Sequence, residues 1–431
     1  MIKEKEYSKR RKTLVSKLKK NSVSVVLSAE AKTRSNDTEY PYRQNSNFYY
    51  LTGFKEDNSA LVILKKKNSY KTFLFVEKKD KTLELWHGKR LGVDEAKKRF
   101  SVDDVFVINQ LDKFLKSLTS KNRVFYYDSK LEHKSLKFLE RHIVKSKTTR
   151  DIATPIQEMR LVKSKAEIKL IKEAIAITQE AHHKAMAIEK SSMYEYQLQA
   201  EIEYVFKRNG AYNDAYTSIV ACGNAANTLH YISNDKLLIN GQLILIDAGC
   251  EYKYYASDIT RTIPVNGKFS KAQKELYDMV LDVQLKIIKM IKPSVLRSDL
   301  QKKSVKLLTK GLIDLGILKG NLKKIIKKEK YKKYYPHGIG HWMGLDVHDE
   351  SPYKDKKGKE IPLQEGMVLT IEPAIYIDEE DTSVPKRYRG IGIRTEDDIL
   401  VTKTSYSNLS GEIAKTIKEI EDISFKDSSV N

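Results

Sequence analysis

Asp247 closes the apolar run Leu243-Ile-Leu-Ile-Asp247, and this placement constrains the fold strongly. A carboxylate at the end of a buried strand is costly to desolvate unless it is paired or holds a cation. The pattern recurs three times, with Asp258 in Asp258-Ile-Thr-Arg-Thr262, Glu372 in Val368-Leu-Thr-Ile-Glu372-Pro373, and Glu396 in Gly390-Ile-Gly-Ile-Arg394-Thr-Glu396. Eleven residues separate Asp247 from Asp258, enough for a hairpin that brings them together. Strand alternation sets Asp258, Thr260 and Thr262 on one face, and Thr370 with Glu372 on the face opposite Leu369 and Ile371. Pro373 disfavours a helical conformation at Glu372. Gly390 and Gly392 leave room beside the backbone for a ligand, into which Arg394 and Glu396 project. Two acids from each of two segments therefore converge.

The segments belong to a duplication. Ser164…Glu167 and Ser192…Glu195 read as capping boxes opening helices over 165–189 and 193–209, the second stopped by Gly210. Ser270…Gln273 and Ser298…Gln301 open another pair, the first closed by Pro293. Each pair precedes apolar strands, 243–248 and 257–264, then 367–377 and 392–401. Two such halves meeting with strands in one sheet and helices outside give an α+β domain. The first third is mixed α/β, with strands expected at 23–29, 48–54, 60–65, 71–76 and 123–127 and helices at 111–118 and 131–143. The polar stretch 145–154, followed by Pro155, divides an N-terminal domain, 1–154, from a catalytic domain, 155–431.

Histidine completes the constellation. His230, His337, His341 and His348 cluster in two short segments. Gly338 and Gly340 argue against a helix across His337–His341. An extended segment would hold the two rings ~13 Å apart, so that one ligates while the other serves the substrate. Four carboxylates with one imidazole make a hard donor set for a dinuclear site, suited to Mn²⁺, with Co²⁺ or Zn²⁺ as alternatives. His182-His183 reads as solvent-facing, and Glu396-Asp397-Asp398 taken alone reads as a solvated loop. Lys319–Lys333 reads as an exposed helix.

The 431 residues carry a net charge of +22. Such an excess raises nucleic acid or an anionic membrane as partners. Lysine dominates it, whereas bidentate phosphate recognition favours arginine. The charge is expected to be a lysine-rich surface, with neither nucleic acid nor membrane as partner. The charged N-terminus lacks a signal peptide's apolar core, and no stretch reaches the ~18–20 apolar residues of a membrane span. Two cysteines, Cys222 and Cys250, exclude a disulfide scaffold and a Cys-rich zinc site; free thiols and the cytoplasm are expected.

Thr228-Leu-His230-Tyr, Asp247-Ala-Gly with Asp258-Ile-Thr-Arg-Thr, His337-Gly-Ile-Gly-His341-Trp-Met-Gly-Leu-Asp-Val-His348-Asp, Thr370-Ile-Glu372-Pro and Gly390-Ile-Gly-Ile-Arg394-Thr-Glu396-Asp-Asp resemble the pita-bread metallopeptidases, and within them the Xaa-Pro aminopeptidase (aminopeptidase P) family. The resemblance extends through 37–54 and 85–92. It implies a pita-bread catalytic domain behind a mixed α/β N-terminal domain that contributes to substrate binding and oligomerisation. It implies two Mn²⁺ ions held by Asp247, Asp258, His341, Glu372 and Glu396, the choice of His341 coming from the family. His230, His337 and His348 match histidines around the ligands, Arg394 a supporting arginine, and Asp37 and Trp86 positions that approach substrate. Ala374, Ala221-Cys222-Gly223, Asn47 and His87 depart from the pattern, which bears on pocket shape.

The expected activity is removal of an N-terminal residue from peptides with proline second, by a homodimer or homotetramer. A metal pair makes a hydroxide available at neutral pH, with Glu372 moving its proton. The alternatives are a dipeptide-restricted prolidase and a metal-free binding protein on the same fold.

Overall fold

The computed structural model describes residues 2–118, 123–131, 136–146 and 148–426. They form two compact units, Met1–Arg160 and Leu161–Asn431. The division falls after Arg160 rather than at Thr154. Pro155 does not break the chain there, because it sits in the first turn of a helix, Ala153–Arg160, where a missing N–H costs nothing. The Asp151 carboxylate accepts the Ala153 and Thr154 N–H groups that open that helix.

In the first unit a six-stranded sheet runs Asp104–Val107, Tyr70–Val76, Ala60–Lys65, Ser22–Leu27, Val124–Tyr127, Thr148–Asp151. Ala60–Lys65 is antiparallel to both neighbours, and the remaining pairings are parallel. Val23, Val62, Phe75 and Phe125 pack into its core. The expected strand at 48–54 is instead a helix, Ser46–Thr52. Its aromatic run is buried all round, so β-propensity yields to packing. Asn45 accepts the Phe48 N–H at 3.0 Å to start it, and Gly53, at φ +69°, ends it. The helix expected from 131 is described as Leu136–Ile143; residues 132–135 of that expectation lie outside the described residues.

The second unit has the duplicated α+β plan. Helices Lys165–Ala187 and Glu195–Arg208 precede the antiparallel strands Ile219–Cys222, Leu243–Asp247 and Thr260–Pro264. Helices Lys271–Ile288 and Arg297–Asp314 precede Val368–Ile371, Ala374–Ile377, Ile391–Arg394 and Asp397–Val401. Val368–Ile371 pairs antiparallel with Asp397–Val401, and Ala374–Ile377 with Ile391–Arg394. One core spans both halves, from Leu198 and Ile244 to Ile287, Trp342 and Ile399. The capping boxes at Ser164–Glu167 and Ser270–Gln273 form as expected. The one at Ser192 does not: Ser192 adopts φ +68°, the helix starts at Glu195, and Gln197 accepts the Tyr194 N–H. Ser298 is no cap either, since the helix begins one residue before it. Lys319–Lys333 is two short turns, Leu322–Lys327 and Lys330–Lys333, rather than one helix.

Candidate metal centre

The two long strands of the second half are each interrupted where an acid sits. Val368–Ile371 stops before Glu372-Pro373, and Ile391–Arg394 stops before Thr395-Glu396. Each interruption frees a carboxylate from the alternation of a strand and turns it toward Asp247 and Asp258. The halves are stitched at this level: the Glu396 N–H donates to Thr260 O at 3.0 Å, and Thr262 Oγ1 donates to Arg394 O at 2.9 Å.

A cavity of about 480 Å³ opens over the junction. Its lining includes Asp247, Asp258, His341, Glu372 and Glu396, together with His230, His337, His348 and Arg394. Nine of the expected site residues thus share one wall. Asp37 and Trp86 belong to the first unit and are solvent-exposed in the single chain, Trp86 by 77%.

Asp258, His341 and Glu396 offer ligand atoms within 4.8 Å of one another. His341 Nδ1 lies 3.0 Å from Trp342 O; a carbonyl only accepts, so Nδ1 carries the proton and Nε2 keeps its lone pair. That lone pair faces acceptors, with Asp258 Oδ2 at 3.2 Å and Glu372 Oε1 at 3.7 Å. Only a proton or a cation resolves such a meeting. Burial opposes charge on His341, yet the Asp258 and Glu372 carboxylates outweigh it and raise the imidazole to about 9. Burial lifts Glu372 to about 7, against the pull of His341 and Arg394. Burial and the neighbouring Asp258, Glu372 and Asp247 carboxylates push Glu396 well above the carboxylate range. A set of donors crowded enough to retain protons at neutral pH fits a divalent cation, which replaces those protons by positive charge.

The remaining contacts orient the donors. Arg394 donates to Asp247 Oδ2 at 2.5 Å, to Thr260 Oγ1 at 3.1 Å and to the Tyr376 hydroxyl at 2.6 Å. Thr260 Oγ1 in turn donates to Glu396 Oε2 at 2.7 Å. His337 Nδ1 donates to Gly338 O at 2.7 Å, so its Nε2 accepts from Tyr376 Oη at 3.0 Å. His337 also approaches the second oxygen of Glu372, at 3.6 Å. The two rings of the His337–His341 segment therefore sit well inside the ~13 Å expected of an extended chain. The segment bends around Glu372, one ring to each oxygen. His348 stands against His341 with ring centroids 4.0 Å apart.

Sequence reasoning missed Tyr216, whose hydroxyl donates to Asp247 Oδ1 at 2.6 Å; no local pattern marks it. It also missed Tyr376, although that residue shares strand parity with Ala374 and Glu372. Two readings are corrected. His182 is buried, its Nε2 donating to Ala248 O at 3.0 Å beside Asp247, and His183 accepts the Ala414 N–H at 3.1 Å. Asp397 and Asp398 are buried too: Arg261 and Lys415 pair with Asp397, and Asp398 accepts the Asp258 N–H at 3.1 Å.

An α+β unit of duplicated halves, with four acids and an imidazole at their junction, defines a metal-dependent hydrolase. The profile of metallopeptidase family M24 matches residues 169–403, and that of the aminopeptidase P N-terminal domain matches 7–126. The Xaa-Pro aminopeptidase of Haemophilus influenzae is 40% identical over 426 residues, covering 97% of this chain and 96% of its own. Escherichia coli aminopeptidase P with the inhibitor Pro-Leu superposes with a TM-score of 0.94 at 38% identity, covering 98% of each chain. The zinc-substituted form of that enzyme in complex with product gives 0.92 at 39% identity, again over 98% of each. The chain belongs to metallopeptidase family M24: it is a hydrolase, an aminopeptidase with a pita-bread catalytic domain.

Proposed function

We propose that the chain removes the N-terminal residue from peptides with proline in the second position. Its Asp247, Asp258, His341, Glu372 and Glu396 would hold two divalent ions, Mn²⁺ by donor hardness. The observation that carries this reading is His341 Nε2, facing Asp258 at 3.2 Å and Glu372 at 3.7 Å in a cavity that Asp247 and Glu396 also line. Bound ions supply Lewis acidity, lowering the pKa of water and polarising the scissile carbonyl.

The chain's own groups do the rest. Glu372, beside the attacking water, takes a proton from it and returns it to the proline nitrogen, which has no N–H before cleavage and must gain one to leave. Arg394 orients Asp247 through Oδ2 while Tyr216 occupies Oδ1. His337, kept neutral by burial at about 4, presents no charge to the apolar proline ring. His348, also pushed down by burial, and the exposed His230 bring N–H donors toward the developing oxyanion. Asp37 would meet the free α-amine and Trp86 the side chain preceding proline, in a homodimer or homotetramer. The two buried free thiols suit a reducing compartment, which we take to be the cytoplasm.

The test combines metal content with cleavage of a matched pair, an Xaa-Pro dipeptide and an Xaa-Pro-Xaa tripeptide. Cleavage of the tripeptide, abolished by chelator, is expected. A Mn²⁺-loaded sample inert on the tripeptide refutes the reading, and activity confined to the dipeptide selects prolidase.

A further inference from the structure

The loop carrying His341 is held from two sides, only one of which is the ligand-bearing strand. Against that strand, the Thr370 N–H donates to His341 O at 2.9 Å, the Glu372 N–H to Ile339 O at 2.9 Å, and the His341 N–H to Thr370 Oγ1 at 3.1 Å. A Cβ at Gly340 would lie 1.9 Å from Thr370 O, so the loop has no slack on this side. These bonds leave the Gly340 carbonyl unclaimed, and a buried carbonyl needs a donor.

Arg297 supplies it, Nη1 donating to Gly340 O at 2.9 Å. Gln301, four residues on and hence on the same helix face, accepts the Ile339 N–H at 2.6 Å. The opening turns of helix Arg297–Asp314 thus grip the chain just before His341. The same guanidinium lies over the Tyr353 ring, 4.5 Å from its centroid. Tyr353 stacks on Trp342 at 5.5 Å and 17°, and its hydroxyl accepts the Trp342 N–H at 3.4 Å. His341 therefore sits between two residues that both lead back to Arg297, Gly340 directly and Trp342 through the Tyr353 ring. Trp342 is also the residue whose carbonyl fixes the His341 tautomer.

We infer that Arg297 is a positioning residue for His341, setting through Gly340 and the Tyr353–Trp342 stack where the imidazole meets its ion. The inference rests on the proposed role of His341 as a ligand. Arg297 is not among the residues lining the cavity, so its effect on peptide passes through the loop. Arginine is required because one planar group has to stack and donate in its plane at once, which an ammonium does not do.

The test uses the full chain and measures Mn²⁺ affinity by competition with a chromophoric chelator, alongside Tm at saturating Mn²⁺. Arg297→Met is expected to weaken Mn²⁺ about tenfold, as loss of a group behind a metal ligand does, with Tm little changed. Arg297→Lys recovers only part of that, because it regains a donor and not the stack. Arg297→Met combined with Tyr353→Leu is expected to weaken binding by less than the sum of the two single changes, since the Tyr353–Trp342 stack is one of the two routes by which Arg297 acts. Affinity within twofold of wild type in Arg297→Met overturns the inference alone, as does a loss that merely follows Tm across the variants. A wild-type chain that binds no Mn²⁺ overturns the ligand reading, and the inference with it.

Discussion

Filling the site with a divalent ion should expel protons, and the structure says which groups hold them. His341, held at about 9 by Asp258 and Glu372 against its burial, is protonated at pH 7. Glu396 is pushed in the same direction, upward, by burial and three neighbouring acids. Glu372, lifted by burial to about 7, is half protonated. His341 and Glu372 must be stripped to ligate, so loading at pH 7 should release about one to two protons per chain from these two groups alone. Apparent affinity should then climb about tenfold or more per pH unit near neutrality, and less steeply above pH ~9, where His341 has already lost its proton. Isothermal titration of metal-free protein with MnCl₂ at pH 7.0, in buffers of different ionisation enthalpy, reads the number as the slope of observed enthalpy against ionisation enthalpy. A slope below one would mean that His341 holds no proton for the metal to displace. The crowding argument would then be wrong, and the case for a cation drawn from it would fall.

Arg394→Met removes the only cation bonded to Asp247 among the described residues and should cost about 3 kcal/mol of stability at pH 8, read by denaturant unfolding of the metal-free protein; an unchanged midpoint would show that Asp247 needs no partner. Gly340→Ala should lower both Tm and Mn²⁺ content, because its Cβ meets Thr370 O at 1.9 Å and the strand has to shift; normal values in both would refute that packing. His182 is buried neutral, its pKa lowered from 6.5 to about 4 mainly by desolvation. The unfolded chain takes up a proton there before the folded chain does, so stability is full above pH 6.5 and falls by about 3 kcal/mol as pH drops to 4. His182→Gln should flatten that part of the pH–stability curve, and a curve that keeps its slope would assign it to other groups.

What was legible in the sequence follows from range. Residues whose role shows in local pattern were readable: the strand-ending acids, the glycines flanking Arg394, and the capping boxes at Ser164 and Ser270, where residue type and spacing state the physics within a turn or a strand. Roles decided by a partner far along the chain were not. Glu195 has the spacing of a capping acid, yet it is buried and accepts from Cys222 N–H, the Tyr231 hydroxyl and Lys236 N–H. Gln301 likewise has a capping spacing and instead takes the Ile339 N–H. Asp397 reads as one of three acids in a loop, but Arg261, 136 residues away, draws it into the core and holds it at about 2. Tyr216 has no local signature at all.

The same distinction of range resolves the chain's charge. A net +22 would repel an incoming divalent cation if it acted as one field. At physiological salt an exposed charge is felt over only ~8 Å, so surface lysines farther than that from the cavity are screened from it. Inside the cavity the nearest fixed charges are unscreened, and they are four carboxylates with Arg394 as the bonded cation. That arginine is spent on Asp247, and once the protons of His341 and Glu372 are displaced it cannot also neutralise Asp258, Glu372 and Glu396. The local deficit is therefore negative in a molecule that is positive overall. Replacing those surface lysines by neutral residues should accordingly leave Mn²⁺ affinity unchanged, whereas Asp258→Asn, one charge in 431 residues, should abolish it.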